Sequence, residues 1–208
     1  MTTSGRLTSR DRIMSAARNE IENKGILGLR VQEVADKAKV SVPLIYKYFG
    51  DRDGLLAEVL AAMFEEDVLE EVDRSEAAFA AIASPTIDDL VAVLVVPFHE
   101  SRRAHRWQRI QIVAAAMEIA PLRDRLALVT AVIQERITAH VSSMQRRLTG
   151  GSEPVSSAAL SLLVQTYGFG LVLNDLLADS AASVTKEEFT AMIRAFVEPV
   201  VSVVNTRS

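Results

Sequence analysis

The sequence predicts an all-α protein in two parts, a small N-terminal three-helix domain with a helix-turn-helix and a larger C-terminal helical domain. Three observations predict this fold class. Apolar residues make up 49% of the 208 residues and aromatic residues only 5%, a composition that favours helices over a β-sandwich. No segment alternates polar and apolar residues as a half-buried strand does. Residues that begin and end helices recur along the whole chain.

The first helix is marked at both ends. Thr8 precedes Asp11 by three residues, which is the spacing of a capping box. Apolar residues then recur on one helical face between positions 13 and 21. Gly25 follows, and glycine is the residue that most often ends a helix. We therefore expect one amphipathic helix between Thr8 and Gly25.

Three more helices follow at short intervals. Apolar residues over 31–38 mark a short second helix. Ser41 can cap a third helix, in which Ile45 and Phe49 lie four residues apart and face inward. Asp51 can cap a fourth helix, which carries a strongly apolar face.

Longer helices fill most of the remaining chain. Thr86 and Asp89 form a second capping box. Pro97 falls inside the helical pattern that follows, which predicts a kink or an early end. Pro121 is expected at the first position of a new helix that runs to Leu148. In total we expect about nine helices and no sheet.

The last two helices include the most apolar stretch. Residues 155–177 form an apolar helix that contains Gly168 and Gly170, each costing roughly 1 kcal/mol relative to alanine. Close helix approach or room for a ligand would justify both glycines. This helix is too apolar to face water on any side, which predicts pairing with a second copy; a buried monomer core is the alternative. Thr185 and Glu188 form the capping box of the last helix.

Composition excludes several classes of protein. The chain has no cysteine, so disulfides and thiolate metal sites are excluded. Its N-terminus, "MTTSGRLTSRDR", lacks the apolar core of a secretory signal. No stretch of about eighteen uncharged apolar residues predicts a membrane span. We expect a cytoplasmic protein without a membrane partner, a metal or a cofactor.

Charge is distributed unevenly along the chain. Residues 1–53 hold ten Lys/Arg and seven Asp/Glu, whereas residues 54–208 hold thirteen and twenty. A basic N-terminal part on an acidic body is typical of proteins whose N-terminal part binds a polyanion.

A helix-turn-helix gives this basic part a specific interpretation. "VQEVADKA" and "VPLIYKYF" are two short helices joined by the three-residue turn "KVS". In such a motif the second helix enters the DNA major groove, and the first crosses the phosphate backbone. The predicted DNA contacts are Arg30, Gln32, Ser41, Val42, Pro43, Leu44, Tyr46, Lys47, Tyr48 and Arg52.

Each predicted contact suits a different part of the duplex. The apolar side chains of residues 42–44 can touch thymine methyl groups, and Lys47 can meet a guanine edge or a phosphate. Tyr46 and Tyr48 can donate hydroxyl protons to phosphates, and Arg52 can bind a phosphate by charge. The alternative is that "IYKYF" is only a packed short helix with satisfied tyrosine hydroxyls.

The same region resembles the N-terminal domain of the TetR family of bacterial transcriptional regulators. The resemblance covers about residues 8–60 and is carried by Ala16-Ala17, Gly25, "VADKAKVS", "LIYKYF" and "DRDGLL". The rest of the chain fits the family's size.

The chain also departs from the family pattern at four positions. Lys39 replaces the usual turn glycine, so it must tolerate the backbone geometry of that turn. Arg30 stands where Thr or Ser usually caps the second helix, and Leu44 where a small or hydroxylated residue is common. Arg52 replaces the usual lysine and keeps its charge.

The resemblance implies the rest of the architecture. Residues 1–53 would bind operator DNA, and residues 54–208 would dimerise and bind a small molecule. The homodimer would form through the last two helices as a four-helix bundle, with its two recognition helices about 34–36 Å apart on a palindromic operator. Release by ligand is the commoner family mode, which predicts a repressor; an activator or a corepressor-dependent regulator is the alternative.

A ligand pocket is expected among the middle helices, where Pro97 and Pro121 are candidate points of geometric change. Larger and polar side chains of this region are its candidates, although such residues are more often core. The predicted ligand contacts are Phe64, Phe98, His99, Arg102, Trp107, Gln111, Met117, Met144, Tyr167 and Phe169.

The stretch "HESRRAHRWQRIQ" contains four arginines and two histidines. If several pointed inward they could hold a carboxylate or phosphate ligand. A solvated helix face is the favoured interpretation, and pairing of these arginines with the acidic segment "EEDVLEEVDRSE" is a further one.

Two other functions remain as alternatives. The chain has no His-x-x-x-His pair, no phosphate-binding glycine loop and no Gly-x-Ser-x-Gly motif, so we do not expect an enzyme. A helix-turn-helix used only for protein contacts is the other alternative, and specific duplex binding with a steep salt dependence would exclude it.

Overall fold

The computed structural model of the chain describes residues 7–178 and 180–205, and side chains only up to residue 199. In those residues the regular structure is helical, and no strand is present. Short 3₁₀ turns separate some of the helices. The α-helices are α1 (Ser9–Lys24), α2 (Val31–Ala38), α3 (Val42–Phe49), α4 (Arg52–Ala80), α5 (Ile87–Val95), α6 (Arg103–Ala115), α7 (Ala120–Thr149), α8 (Ser157–Leu176) and α9 (Lys186–Asn205).

The chain divides into two compact units. One comprises the described residues of Met1–Glu66 together with Ile112–Val129. Within it α1 packs against α2 and α3, and Ile13, Val34 and Ile45 are completely buried. The functional boundary expected after residue 53 stays a prediction, because compactness does not test which residues bind DNA.

The second unit comprises Asp67–Gln111 and the described part of Thr130–Ser208. In this unit α5 packs against α9. Its apolar cluster contains Val91, Val95, Leu171 and Phe189. The rings of Phe98 and Phe189 stack with centroids 4.9 Å apart, which closes the cluster.

Local end signals in the sequence predict most helix boundaries correctly. The capping boxes at Thr8, Thr86 and Thr185 all form. Asp51 Oδ1 accepts a hydrogen bond from the Gly54 N–H at 2.7 Å, as expected of a cap. The prediction for Ser41 is wrong in one respect: it lies at the N-cap of α3, but its side chain makes no cap hydrogen bond.

Pro97 lies where the sequence predicted a helix end, and Pro121 lies one position further into its helix than predicted. Helix α5 ends at Val95, and Pro97 lies in a 3₁₀ turn directly after it, so the early end is confirmed. Helix α7 begins at Ala120, one residue before Pro121. Pro199 lies inside α9, where the apolar residues on both sides of it also indicate that the helix continues.

Helix α8 has an inverted distribution of side chains. Its buried residues include Ser157, Ser161 and Asp175, whereas Leu162 and Leu173 are 62% and 68% exposed. Among the described residues it is the one helix long and apolar enough to cross a membrane, and a single such helix is weak evidence for a span. The leucines instead form a helix face with no cover in the single chain.

Candidate nucleic-acid interface and ligand site

The turn between α2 and α3 has a left-handed backbone at one residue. Lys39 has φ 55° and ψ 51°, a conformation that a side chain with a Cβ disfavours by roughly 1–2 kcal/mol. The N–H of Lys39 donates to the Asp36 carbonyl at 3.3 Å, and the N–H of Val40 donates to the Ala35 carbonyl at 3.0 Å. Residue 39 therefore has the backbone geometry that suits the glycine of the family pattern, although this chain has a lysine there.

The helical wheel of α3 separates a buried side from an outward side. Each residue advances the helix by roughly 100°. Ile45 and Phe49 define the buried side, so Lys47 lies directly opposite it and is exposed. Tyr46 and Tyr48 flank Lys47 on either side and are 44% and 47% exposed. This face presents one cation between two phenol groups.

The first turn of α3 is apolar on the same outward side. Pro43 is exposed, whereas Val42 and Leu44 are half-buried. Ser41, directly before the helix, is exposed. The structure thus brings the predicted contacts of α3 together on one helix.

The remaining predicted DNA contacts lie around the ends of α2 and α4. Arg30 and Gln32 are exposed, and the Gln32 side-chain amide donates to Asp36 at 3.0 Å. Arg52 is half-buried, and its guanidinium donates to the carbonyls of Leu29 at 3.3 Å and Ile26 at 3.4 Å. Arg52 therefore fastens the start of α4 to the turn that precedes α2.

A close junction fixes α3 against α4. A Cβ atom at Gly54 would clash with the backbone carbonyl of Phe49. Because backbone cannot rotate away as a side chain can, only glycine allows α4 to begin so close to the end of α3. The orientation of the outward face of α3 thus depends on this residue.

A buried carboxylate braces α1 against α2, and sequence reasoning missed it. The Glu20 side chain is completely buried and pairs with Lys37 of α2 and, at 3.0 Å, with Lys24. These two ammonium groups lower the pKa of Glu20 to about 2. Its charge is therefore retained throughout the physiological pH range. The signal that could have found it is the spacing: Glu20 follows Ile13 by seven residues and Ala17 by three, which places it on the buried face of α1.

In the second unit, three side chains converge on one buried carboxylate. Arg102 donates to Asp67 at 3.2 Å, and His105 and Arg109 also contact the carboxylate of Asp67. Burial by itself would raise the pKa of Asp67, but the positive charge of Arg109, with His105 and Arg102, outweighs burial and lowers it. These arginines pair with the acidic segment of α4, so the favoured interpretation of a solvated helix face is wrong.

A second buried ion pair joins α6 to α8. Arg106 forms a bidentate pair with Asp175, in which Nε lies 2.9 Å from Oδ2. Both side chains are over nine-tenths buried. Arg106 also donates to the carbonyls of Pro97 at 2.6 Å and His99 at 3.1 Å. One guanidinium therefore holds the 3₁₀ segment after α5 and the inner face of α8.

The structure places the predicted ligand contacts in different surroundings. Phe98 and Tyr167 pack against Phe189 with ring centroids 4.9 and 5.6 Å away. Burial raises the pKa of Tyr167, and its hydroxyl donates to the Leu94 carbonyl. Trp107 lines a separate open cleft of about 500 Å³ beside Arg103 and the end of α8.

Other candidates are placed apart from these. Arg102 is committed to Asp67, His99 and Phe169 are half-buried, and Gln111 is exposed. Met144 is buried in the second unit, whereas Phe64 and Met117 belong to the first. In the described residues no group of three or more His, Asp or Glu side chains is arranged to hold a metal ion.

Comparison with known proteins identifies the N-terminal domain. The family model of bacterial regulatory proteins of the tetR family matches residues 13–59, which span α1 to the first part of α4. Residues 13–59 therefore contain a tetR-family N-terminal domain. No curated protein sequence matches the chain.

Solved TetR-like structures extend the likeness over the whole chain. A structure named as a TetR-family transcriptional regulator from Rhodococcus sp. is 25% identical, with a TM-score of 0.60, covering 93% of this chain and 98% of its own. A transcriptional regulator from Rhodococcus sp. RHA1 is 20% identical, with a TM-score of 0.65 and coverages of 93% and 98%. The multidrug binding protein EbrR, solved with imidazole, is 19% identical, with a TM-score of 0.59 and coverages of 94% and 96%.

Residues 13–59 are therefore the tetR-family part of the chain, and the chain as a whole shares the fold of TetR-like regulator structures. TetR-family members bind DNA and small-molecule effectors, are typically dimeric and are generally not enzymes. The match of residues 13–59 lies in the region in which the structure exposes Tyr46, Lys47 and Tyr48 on one helix face.

Proposed function

We propose that this protein is a TetR-family repressor that binds a palindromic operator as a homodimer and leaves the operator when a small molecule binds. The observation that carries the proposal is the outward face of α3, where exposed Lys47 stands between Tyr46 and Tyr48 opposite the buried Ile45 and Phe49. Such a short, exposed, basic helix suits insertion in a major groove. In this proposal, residues 1–53 bind DNA and residues 54–208 dimerise and bind the effector.

The outward residues of α8 and α9 support a homodimer. On α8, Leu162, Thr166, Phe169, Leu173 and Leu176 follow alternating spacings of four and three residues, the pattern of a seam between packed helices. On α9, Phe196 is 71% exposed and Met192 is 43% exposed. A twofold four-helix bundle from α8, α9 and their copies would cover both faces.

Gly168 and Gly170 fit the same arrangement. A Cβ atom at either position would meet nothing within 4 Å in the single chain, so packing within the chain does not require glycine there. Close approach of a partner helix would explain the two glycines, because small residues let helix backbones come close.

The effector site is proposed in the second unit, around the segment that Arg106 holds. Phe98, Tyr167 and Trp107 lie on the elements that contact this segment or the adjacent cleft. EbrR, which shares the fold, is a multidrug binding protein solved with imidazole, and this supports an organic effector. A ligand that separates the rings of Phe98 and Phe189 would favour one of two states of the unit, which is what release of DNA requires.

Selection of bound duplexes from a random DNA pool, at two salt concentrations, tests this function. We expect an enriched inverted repeat whose affinity falls steeply with salt, because phosphate contacts release counterions. The matched control is the double variant Tyr46→Ala with Lys47→Ala, which should enrich nothing. Equal enrichment by the wild type and this variant, or no enrichment by either, would contradict the proposal.

Regulation by an activator or corepressor mode predicts a different result. In that case a duplex would be enriched only when a small-molecule extract is present. We expect the opposite, since a repressor released by ligand loses enrichment on the same addition. We place the protein in the cytoplasm with its operator, and we assign it no catalytic activity.

A further inference from the structure

The first turn of α3 carries no polar side chain on its outward side. Pro43 and Leu44 occupy this side, whereas half-buried Val42 lies toward the buried side, three residues before Ile45. Proline has no backbone N–H, and the N–H of Leu44 donates to the Ser41 carbonyl at 3.0 Å. Neither Pro43 nor Leu44 therefore has a donor or an acceptor free to meet a base edge.

Residues at the N-terminal end of a recognition helix are the ones that contact base edges in this type of motif. Among the groups that bases present in the major groove, only the C5-methyl of thymine is apolar. The ring nitrogens, carbonyl oxygens and amino groups that the bases present there are hydrogen-bond acceptors or donors, and covering one with proline or leucine would leave it desolvated and unpaired.

We infer that each operator half-site is read through thymine C5-methyl groups packed against Pro43 and Leu44. The inference rests on the proposed function and names what its DNA site recognises. Polar recognition is supplied one turn later by Lys47, which lies on the same outward side of α3. Tyr46 and Tyr48, on the two flanks, are left to contact the phosphates of the groove walls.

Replacing thymine by uracil tests the inference, because this removes one methyl group and leaves the base-pair hydrogen bonds and the charge unchanged. In the enriched operator, each thymine is replaced in turn, symmetrically in both half-sites. We expect one or two positions per half-site where the replacement weakens binding about fourfold per methyl. Other thymines should tolerate it. At a sensitive position, a C·G pair should bind weakly, and 5-methylcytosine should recover part of the loss.

The variant Leu44→Ala assigns the methyl contact to a residue. Its side chain is half-buried, so the variant should fold, and helicity with dimer mass checks this. We expect it to bind thymine and uracil operators equally at a position where the wild type discriminates. Lys47→Ala is the matched control: it should bind more weakly and keep the wild-type ratio of thymine to uracil affinity.

Three results have separate meanings. Loss of discrimination in Leu44→Ala, with its retention in Lys47→Ala, supports the inference. Equal affinity of the wild type for thymine and uracil at every position, or unchanged discrimination in both Leu44→Ala and Pro43→Ala, overturns it while leaving operator binding intact. Failure to enrich any duplex overturns the proposed function as well.

Discussion

Helices α3 and α8 expose opposite kinds of side chain. Helix α3 buries Ile45 and Phe49 and exposes a lysine and two tyrosines. Helix α8 buries Ser161 and Asp175 and exposes leucines. Both outward faces are uncovered in the single chain. The outward face of α3 is polar and can stay in contact with water until DNA binds, whereas the outward face of α8 is stable only when apolar surface covers it.

Because of this difference, one chain can have two binding faces that attract different kinds of partner. The apolar core beneath α3 fixes the proposed recognition helix within the N-terminal unit. The inner face of α8 is held by a buried ion pair in addition to the apolar packing of Leu171, and its other leucines remain available for association. Four substitutions test this contrast, and they follow in order of decreasing expected effect.

Leu173→Glu should break the association face of α8. A symmetric dimer would bury two new carboxylates, and at roughly 3 kcal/mol each the dimer dissociation constant should rise more than about a thousandfold. Sedimentation equilibrium measures it. Leu128→Glu is the matched control, because Leu128 of α7 is 63% exposed and Leu173 is 68% exposed. If both variants dissociate equally, or neither does, the assignment of the face to α8 is wrong.

Arg106→Leu should test the inner face of the same helix. It leaves the buried carboxylate of Asp175 without its partner, so the free energy of unfolding should fall by about 3–5 kcal/mol. Denaturant titration measures the loss. The double variant with Asp175→Leu should recover much of it.

The control for Arg106 is its neighbour Arg103, whose side chain is 41% exposed. Arg103→Leu should cost less than about 1 kcal/mol, as exposed pairs do. A similar loss of stability in both arginine variants would show that the buried Arg106–Asp175 pair stabilises the inner face of α8 no more than an exposed pair does.

Lys47→Ala should weaken the outward face of α3 alone. Operator affinity should fall about tenfold per half-site, and the slope of log affinity against log salt should decrease by about one per half-site. Dimer mass and thermal midpoint should stay at wild-type values. The control is Arg123→Ala, which removes an exposed charge from α7. Unchanged operator affinity in Lys47→Ala would move the recognition surface away from α3.

Lys39→Gly should stabilise the turn before α3. Glycine adopts φ 55° without the cost that a Cβ brings, so the free energy of unfolding should rise by about 1 kcal/mol. Lys39→Ala is the control, because it removes the same charge and keeps the Cβ. A gain of equal size in both variants would attribute the effect to charge.

Sequence patterns predicted the helices because their end signals are local. Thr86 and Asp89 are three residues apart, so a capping box is visible without knowing the fold. The same holds for Pro97, which ends the helical path by itself. Ser41 shows the limit, since a suitable residue at the cap position does not ensure that its hydroxyl turns toward the helix.

Partners that are distant in sequence could not be predicted in the same way. Arg106 and Asp175 are 69 residues apart, and their pairing depends on how α6 and α8 pack. Arg102, Arg106 and Arg109 are spaced four and three residues apart, which is the spacing of one helix side, yet Arg106 takes a different partner from the other two. For the DNA face, the buried pair Ile45 and Phe49 is enough to orient α3, which is why this part of the site was accessible from sequence.

The tether of Arg52 has a consequence for conformational entropy. Its guanidinium is already held by the carbonyls of Ile26 and Leu29, whereas the side chain of Lys47 makes no hydrogen bond to any residue that the structure describes. Ordering a free lysine side chain costs up to about 2 kcal/mol in conformational entropy. Lys47 loses this entropy only when it binds DNA. Arg52 loses most of the corresponding entropy during folding, so its guanidinium can bind a phosphate without a further loss of conformational entropy.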